Sequence, residues 1–177
     1  MLFNCARFSS RFDPSGALLD LENQDRELWN PDLIELAHDH LRRSQCALVS
    51  SYHLEASIAC MHCVAKTFAS TEWPMIAGLY ARLLQLNPNP FVELNYAIAL
   101  FYAGEKAHAF KILYTLEQHA FLHQYHLLNM SLGKFHYIEG NEILAREFLS
   151  KACQQTQAVK EQEFIRRMID NLNAADR

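Results

Sequence analysis

Apolar residues recur three or four positions apart through most of the chain, the spacing that places them on one side of an α-helix. Runs of alternating apolar and polar residues joined by hairpin turns, which are typical of β-strands, do not occur. The pattern therefore predicts an all-α protein, with helices near residues 2–10, 31–45, 53–70, 74–86, 91–103, 106–118, 124–138, 141–156 and 160–173.

Glycine and proline are few, and they lie where the predicted helices begin or end. Pro31 follows Asn30, so Asn30 is predicted to cap a helix whose first residue is Pro31. Gly104 and Gly140 each separate two apolar stretches and are predicted to end helices. Residues 11–30, called the flap below, form the one long stretch without helical periodicity.

The helices contain a repeat. Spacings of 12 and then 7 residues recur in three sets of mostly small residues: Ala65, Ala77 and Leu84; Ala97, Ala109 and Leu116; and Gly133, Ala145 and Ala152. The sets are offset by 32 and 36 residues, which bracket the tetratricopeptide period of about 34 residues. Small side chains at such points let paired helices approach closely. We therefore predict a tetratricopeptide-like right-handed superhelix of antiparallel helix hairpins, with three units between about residues 53 and 156.

The chain is predicted to have two regions. Residues 1–30 would form an N-terminal helix and the irregular flap, and residues 31–177 a single tetratricopeptide-like helical domain. The last helix carries an apolar stripe made of Phe164, Ile165, Met168, Ile169 and Leu172. We expect this stripe to cap the last repeat, with Arg167 directed to solvent.

Composition excludes several classes of protein. The chain has 177 residues, of which 50% are hydrophobic and 20% charged, so it is expected to be globular. A net charge of −4 argues against binding nucleic acid through its phosphates. No apolar run approaches the roughly 18 residues that span a bilayer, and the N-terminus does not resemble a signal peptide. Five cysteines in irregular positions are expected to be reduced thiols in the cytoplasm.

Two groups of residues resemble metal sites. Cys60 and Cys63 form a CxxC, but a second ligand pair at a suitable spacing is absent, so both are predicted to be small buried residues. His119, His123 and His126 are spaced like residues on one helical face, although the first is predicted to lie in a turn. A metal-dependent enzyme at these histidines is the weakest of the alternatives.

Enzymatic activity is not expected. Cys46 could serve as a nucleophile, but no arrangement of nucleophile, histidine and acid is recognisable. A glycine-rich phosphate-binding loop is also absent. We therefore predict no catalytic residues, no cofactor and no bound metal.

The flap is longer than the connections usual in compact domains, and it ends in LENQDRELWN at residues 21–30. One interpretation is structural: its leucines and Trp29 are buried against the first hairpin, and Arg26 pairs with a carboxylate. The other is that the flap contacts a partner. In that case, replacing Arg26 and Trp29 together should abolish the complex and leave helical content unchanged.

Four segments resemble one family in order and at compatible spacing: DPSGALLDLENQDRELW (13–29), YHLEASIACMH (52–62), TEWPMIAGLYARLLQLNPNPFVELN (71–95) and YHLLNMSLG (125–133). The chain resembles the tetratricopeptide-like C-terminal extension of a group of bacterial extracytoplasmic-function sigma factors. The matching positions include Gln24, Asp25, Arg26, Trp29, Tyr52, His62, Trp73, Tyr80, Pro88, Pro90, Asn95, Tyr125 and His126. Asn23 stands where the family usually has Asp, and Tyr96 where Arg is common.

The resemblance implies a regulatory role in transcription. In that family the promoter-reading regions precede this extension. Neither region is present here, and Met1 falls within what resembles the connecting segment. We therefore expect a truncated or split product, or an isolated domain, that does not bind DNA directly. Its expected partners are sigma factor regions, in the same chain or in trans, or RNA polymerase.

The predicted partner-binding residues are Asp25, Arg26, Trp29, Tyr52, His62, Asn95 and His126. Asn95 lies on the inner helix of its repeat, where tetratricopeptide domains often hold a peptide backbone. Tyr52, His62 and His126 are expected to line the same groove, although contacts between helices would account equally well for Tyr52 and His126. The alternative function is a free-standing adaptor that binds a peptide of another cytoplasmic protein. The sequence does not predict the oligomeric state.

Overall fold

The computed structural model describes residues 1–44 and 48–175, and within these ranges the chain is all-α. The helices are α1 (Leu2–Ala6), α2 (Pro31–Arg43), α3 (Ser51–Val64), α4 (Trp73–Leu86), α5 (Pro90–Tyr102), α6 (Lys106–Glu117), α7 (His126–Ile138), α8 (Glu142–Gln155) and α9 (Val159–Ala175). Short 3₁₀ helices span Phe8–Ser10, Arg26–Leu28 and Leu122–Gln124. Over the described residues no strand forms, and an isolated β-bridge joins Phe12 to Leu18.

Most predicted helices are confirmed, with ends that differ by a few residues. The predicted helix over residues 2–10 is instead α1 followed by a 3₁₀ turn. The helix predicted over 53–70 is too long, because α3 ends at Val64. Thr67 and Ser70 close a turn after it, each side-chain oxygen accepting a hydrogen bond of 3.0 Å from the other residue's amide.

Local capping signals account for several helix ends. The side chain of Asn30 accepts a hydrogen bond from the amide of Leu33 at 3.0 Å, and Pro31 is the first residue of α2, as predicted. Gly104 and Gly140 follow the ends of α5 and α7 with φ of +94° and +76°. Such values favour glycine, which explains why the chain turns at these positions.

The helices form a stack resembling a helical repeat. From α3 to α9 each helix packs against the next along the chain, and α5 also contacts α7. One apolar core runs from α3 to α8. Ile165 and Leu172 of α9 are buried against α8, in agreement with the apolar stripe of the last helix. No described helix is long and apolar enough to cross a lipid bilayer.

Small residues are buried where the paired helices of the two C-terminal hairpins meet. Ala97 and Ala109 are fully buried between α5 and α6, and so are Gly133 and Ala145 between α7 and α8. The upstream set fits less well, because Ala65 is the C-terminal cap of α3 and lies outside the helix. The repeat spacing thus describes the last two hairpins better than the first.

The flap leaves α1 and crosses one side of the stack. It turns at Asp13, whose carboxylate accepts hydrogen bonds of 2.9 Å from the amides of Ser15 and Ala17. Beyond the turn it lies along α3, α5, α7 and α9, which line the cavities beneath it together with a few residues of α1, α4 and α8. These cavity-lining sides of the four helices are called the inner face below.

Candidate protein-interaction site

Trp29 anchors the end of the flap. Its side chain is only 5% exposed, and its indole N–H donates a hydrogen bond to Oγ of Ser10 at 2.7 Å. The guanidinium groups of Arg26 and Arg7 lie 4.6 and 5.2 Å from the centre of its ring system, within the range of cation–π attraction. Gln24, also buried, accepts a hydrogen bond from Ser10. The flap is therefore fixed at this end by a buried aromatic contact.

Arg26 closes the C-terminal end of α3. Its Nη1 donates hydrogen bonds to the carbonyl oxygens of His62 at 2.6 Å and Ala65 at 2.7 Å. The last carbonyls of a helix lack partners within the helix, and a nearby cation satisfies them. The expectation that Arg26 pairs with a carboxylate is therefore wrong.

Trp29 and Arg26 make their main contacts inside the protein, and this affects any mutational test of the flap. Trp29 is buried and Arg26 binds α3, so in this conformation neither presents its main contact surface to a partner. Replacing both would remove these internal contacts, so we now expect the double variant to be destabilised, and helical content alone is not a sufficient control for loss of binding. Asp25 is exposed, and its carboxylate caps the 3₁₀ helix by accepting from the amide of Glu27. A partner role for these three residues stays a prediction.

His62 and Asn95 line one cavity of about 380 Å³ on the inner face. Arg7, Glu55 and Tyr80 contribute polar groups to its wall, and Nδ1 of His62 is buried without a hydrogen-bond partner. Burial, with smaller effects from Arg7 and Arg26, lowers the pKa of His62 to about 4. His62 is therefore neutral at pH 7.

The lowered pKa of His62 makes stability depend on pH. Between pH 6.5 and about 4 the unfolded chain holds a proton on this residue that the folded chain does not, so stability falls as pH falls. The difference corresponds to at most about 3 kcal/mol. Urea unfolding at pH 7.5 and 5 should show this loss in the wild type and a smaller one in His62→Gln. His40→Gln, which alters an exposed histidine, should retain the wild-type dependence. Equal losses in all three proteins would contradict the assignment.

Tyr52 and His126 lie away from this cavity. Tyr52 is 79% exposed and lines a separate cavity between α1, α2 and α3. His126 begins α7, and its Nε2 lies 3.1 Å from Oε2 of Glu161 in α9, without the geometry of a hydrogen bond. The structure thus brings together His62 and Asn95 of the four residues expected in one groove.

Sequence reasoning missed the residues that hold the middle of the flap. Nζ of Lys134, in α7, lies 2.7 Å from carboxylate oxygens of both Asp20 and Glu22. Burial by itself lowers the pKa of Lys134, but Tyr102 and the two carboxylates raise it above its ordinary value. Lys134 is the one lysine or arginine in the α7 sequence HLLNMSLGKFHYI, and that isolated charge was the available signal.

Arg167 holds the flap from α9. Its Nη2 donates a hydrogen bond of 2.7 Å to the carbonyl oxygen of Leu18, and its Nη1 lies 3.8 Å from the carboxylate of Asp13. The side chain is exposed, but it does not simply face solvent as the helical pattern predicted. Two cations, on α7 and α9, thus bind the flap on the inner face.

The histidines and cysteines of the candidate metal sites are dispersed or buried. His119 follows α6, His123 lies in a 3₁₀ helix and His126 begins α7, so they do not share one helix. In the part of the chain that the structure describes, no group of three or more His, Cys, Asp or Glu residues could hold a metal ion. Burial raises the pKa of Cys63 to about 11, so its thiol is protonated at neutral pH. Cys46 lies outside the described residues.

Parts of the chain match a protein family and a bacterial protein. Residues 1–45 match DUF6596, described as a family of unknown function. The chain is 36% identical to "Uncharacterized protein R00370" of Rhizobium meliloti (strain 1021) over 101 residues, which are 56% of the chain. The chain covers 24% of the length of that relative. No solved structure matches the chain.

Proposed function

We propose that this chain is a non-catalytic protein-interaction domain that regulates a sigma-factor-like transcription regulator by binding sigma factor regions or RNA polymerase. Its helices would form a tetratricopeptide-like right-handed superhelix whose concave side is the inner face. In this proposal the chain acts in the cytoplasm and does not contact DNA. The net charge of −4 supports the absence of DNA binding, because a protein that binds DNA phosphates usually has a surplus of cations.

The observation that carries the proposal is the docking of the flap along the inner face. The first of the segments that resemble the sigma factor extensions, residues 13–29, supplies Trp29 and Arg26 at one end and the carboxylates bound by Lys134 in its middle. A generic repeat adaptor has no need of such a segment. The resemblance and the structure thus draw attention to the same residues.

Photo-crosslinking in the source cells tests this function. A photoreactive amino acid at Asn95, exposed on α5, should capture a sigma factor region or a subunit of RNA polymerase, identified by mass spectrometry. The same amino acid at Ile143, an exposed residue of α8 that lines none of the cavities beneath the flap, should capture neither. Equal capture at both positions would contradict a specific site on the inner face.

A free-standing adaptor is the second candidate, because a non-helical segment of this chain, the flap, already lies on the inner face as a bound peptide would. Capture of an unrelated cytoplasmic protein at Asn95 would favour this function over the first. An immunoblot of the source cells with an antibody against the domain measures the size of the native product. A native band clearly larger than 20.4 kDa would place it within a longer regulator, and a band of 20.4 kDa would direct the search to partners in trans.

A further inference from the structure

We propose that the inner face of α5, α7 and α9 is a docking surface for an acidic peptide that carries the pattern Leu-Asp-Leu-Glu in a turn, and that residues 18–22 of the flap occupy it in cis. The partner would be a protein segment in which a leucine lies between two carboxylates. This inference goes beyond the proposed function, since it defines the ligand chemistry without requiring a sigma factor. It can fail or succeed independently of that function.

Charge complementarity defines the acidic character of the peptide. Lys134 binds Asp20 and Glu22 at once, with both distances 2.7 Å. Residues 20–23 form a turn, in which the amide of Asn23 donates a hydrogen bond to the carbonyl oxygen of Asp20 at 3.2 Å, and one ammonium reaches the carboxylates at its first and third positions. Arg167 adds a contact to the backbone, at the carbonyl oxygen of Leu18. A chain with a net charge of −4 therefore presents two cations at the place where an acidic segment lies.

The residue between the two carboxylates defines the apolar part of the pattern. Leu21 lines a cavity of about 170 Å³ with aromatic residues that include Trp73, Tyr102 and Phe135. It also borders the cavity of about 380 Å³ that contains His62 and Asn95. Leucine is thus the side chain that faces the apolar wall, and polar groups for a backbone lie beside it.

The flap is seated on this surface without being tightly packed. A cavity of about 720 Å³ lies between this part of the flap and residues of α7, α8 and α9, beside the contact of Arg167 with Leu18, and another of about 440 Å³ lies beside Leu19 and Leu21. None of residues 11–23 is fully buried. Among the described residues, the polar contacts between residues 18–22 and the helices are those of Lys134 and Arg167. Close packing is what makes displacement costly, so a second peptide can compete here.

The two ends of the flap stay in place in this proposal, so a competing peptide replaces only the segment between them. Residues 24–29 are fixed by Trp29 and Arg26, and residues 13–17 form their own turn. Between them, the amide of Leu19 donates a hydrogen bond to the carbonyl oxygen of Arg11 at 2.9 Å, which is a contact within the flap. In this proposal the segment leaves the inner face by breaking contacts of the flap and not those between the helices of the stack. The apparent affinity of a peptide in trans is then reduced by the fraction of molecules in which the flap is in place.

A fluorescently labelled peptide with the sequence of residues 16–24, GALLDLENQ, tests the inference by anisotropy. The protein variant Asp20→Asn with Glu22→Gln weakens its own flap, so it should bind the peptide about tenfold more tightly than the wild type. Adding Lys134→Met to that variant should abolish the gain. Lys106→Met, which removes a lysine paired with Glu139 on the surface, should leave it intact. The peptide GALLNLQNQ should bind none of the proteins measurably.

Two results would overturn the inference. One is equal affinity of the wild type and the flap variant for GALLDLENQ, including no binding by either. The other is unchanged affinity after Lys134→Met. Hydrogen exchange on the wild type provides a measurement that needs no variant: excess peptide should speed exchange at the amides of Leu19 and Asn23, which donate hydrogen bonds within the flap. Unchanged exchange while the peptide binds would place it elsewhere and reject the proposal.

Discussion

Replacing Trp29 by alanine is expected to destabilise the protein by about 3–5 kcal/mol, the usual loss for a large buried aromatic residue. The change removes the packing beneath the flap and the hydrogen bond to Ser10. It also removes the ring that attracts the guanidinium groups of Arg7 and Arg26. Urea denaturation followed by far-UV circular dichroism measures the loss as a lower transition midpoint.

The neighbouring Leu28 provides a matched control for this change. Leu28 is 55% exposed, so Leu28→Ala should alter the free energy of unfolding by less than about 0.5 kcal/mol. Similar losses in the two variants would mean that Trp29 does not anchor the flap in solution. The large effect at Trp29 also explains why a loss of partner binding in Trp29→Ala could not by itself identify a binding residue.

Two glycines in helices are expected to respond in opposite directions to the same substitution. A Cβ atom at Gly133 would lie 2.7 Å from Cγ of Leu149 and 3.1 Å from the carbonyl oxygen of Ala145. Gly133→Ala must therefore push α7 and α8 apart, at a cost of about 1–3 kcal/mol, which the gain in helix propensity of up to about 1 kcal/mol only partly offsets.

Gly78 in α4 is the control, since nothing lies within 4 Å of a Cβ atom placed there. Gly78→Ala should stabilise the protein by about 0.5–1 kcal/mol, because alanine is the better helix former. Both values come from the same urea experiment. Stabilisation by Gly133→Ala would show that α7 and α8 do not approach closely at this point.

The signals that predicted the fold are local in the chain. The apolar spacing gave the helix order, and Asn30 with Pro31 marked the start of α2 correctly, because a cap is completed within a few residues. The end of α3 was not predictable in this way. Its carbonyls are satisfied by Arg26, which lies 36 residues from His62 in the sequence. The predicted helix over 53–70 was therefore too long.

The candidate site depended even more on distant contacts. Among the predicted residues, His62 and Asn95 share a cavity, and Trp29 and Arg26 hold the flap. Lys134 was missed, because its partner Asp20 is 114 residues away and nothing near either residue indicates the pairing. A lone lysine on an apolar helix does not indicate an ion pair unless the segment that packs against that helix is known.

By itself the sequence determined the helical class, the positions of most helix ends and the small residues between α7 and α8. These features follow from periodicity and from capping, which act over one or two helical turns. Only the tertiary structure decided where the flap lies, which side chains are buried beneath it and which cations bind it. The physical reason is that burial and ion pairing depend on the neighbours that folding brings together. Those neighbours are separated in the sequence by tens of residues or more, as His62 is from Arg26 and Lys134 is from Asp20.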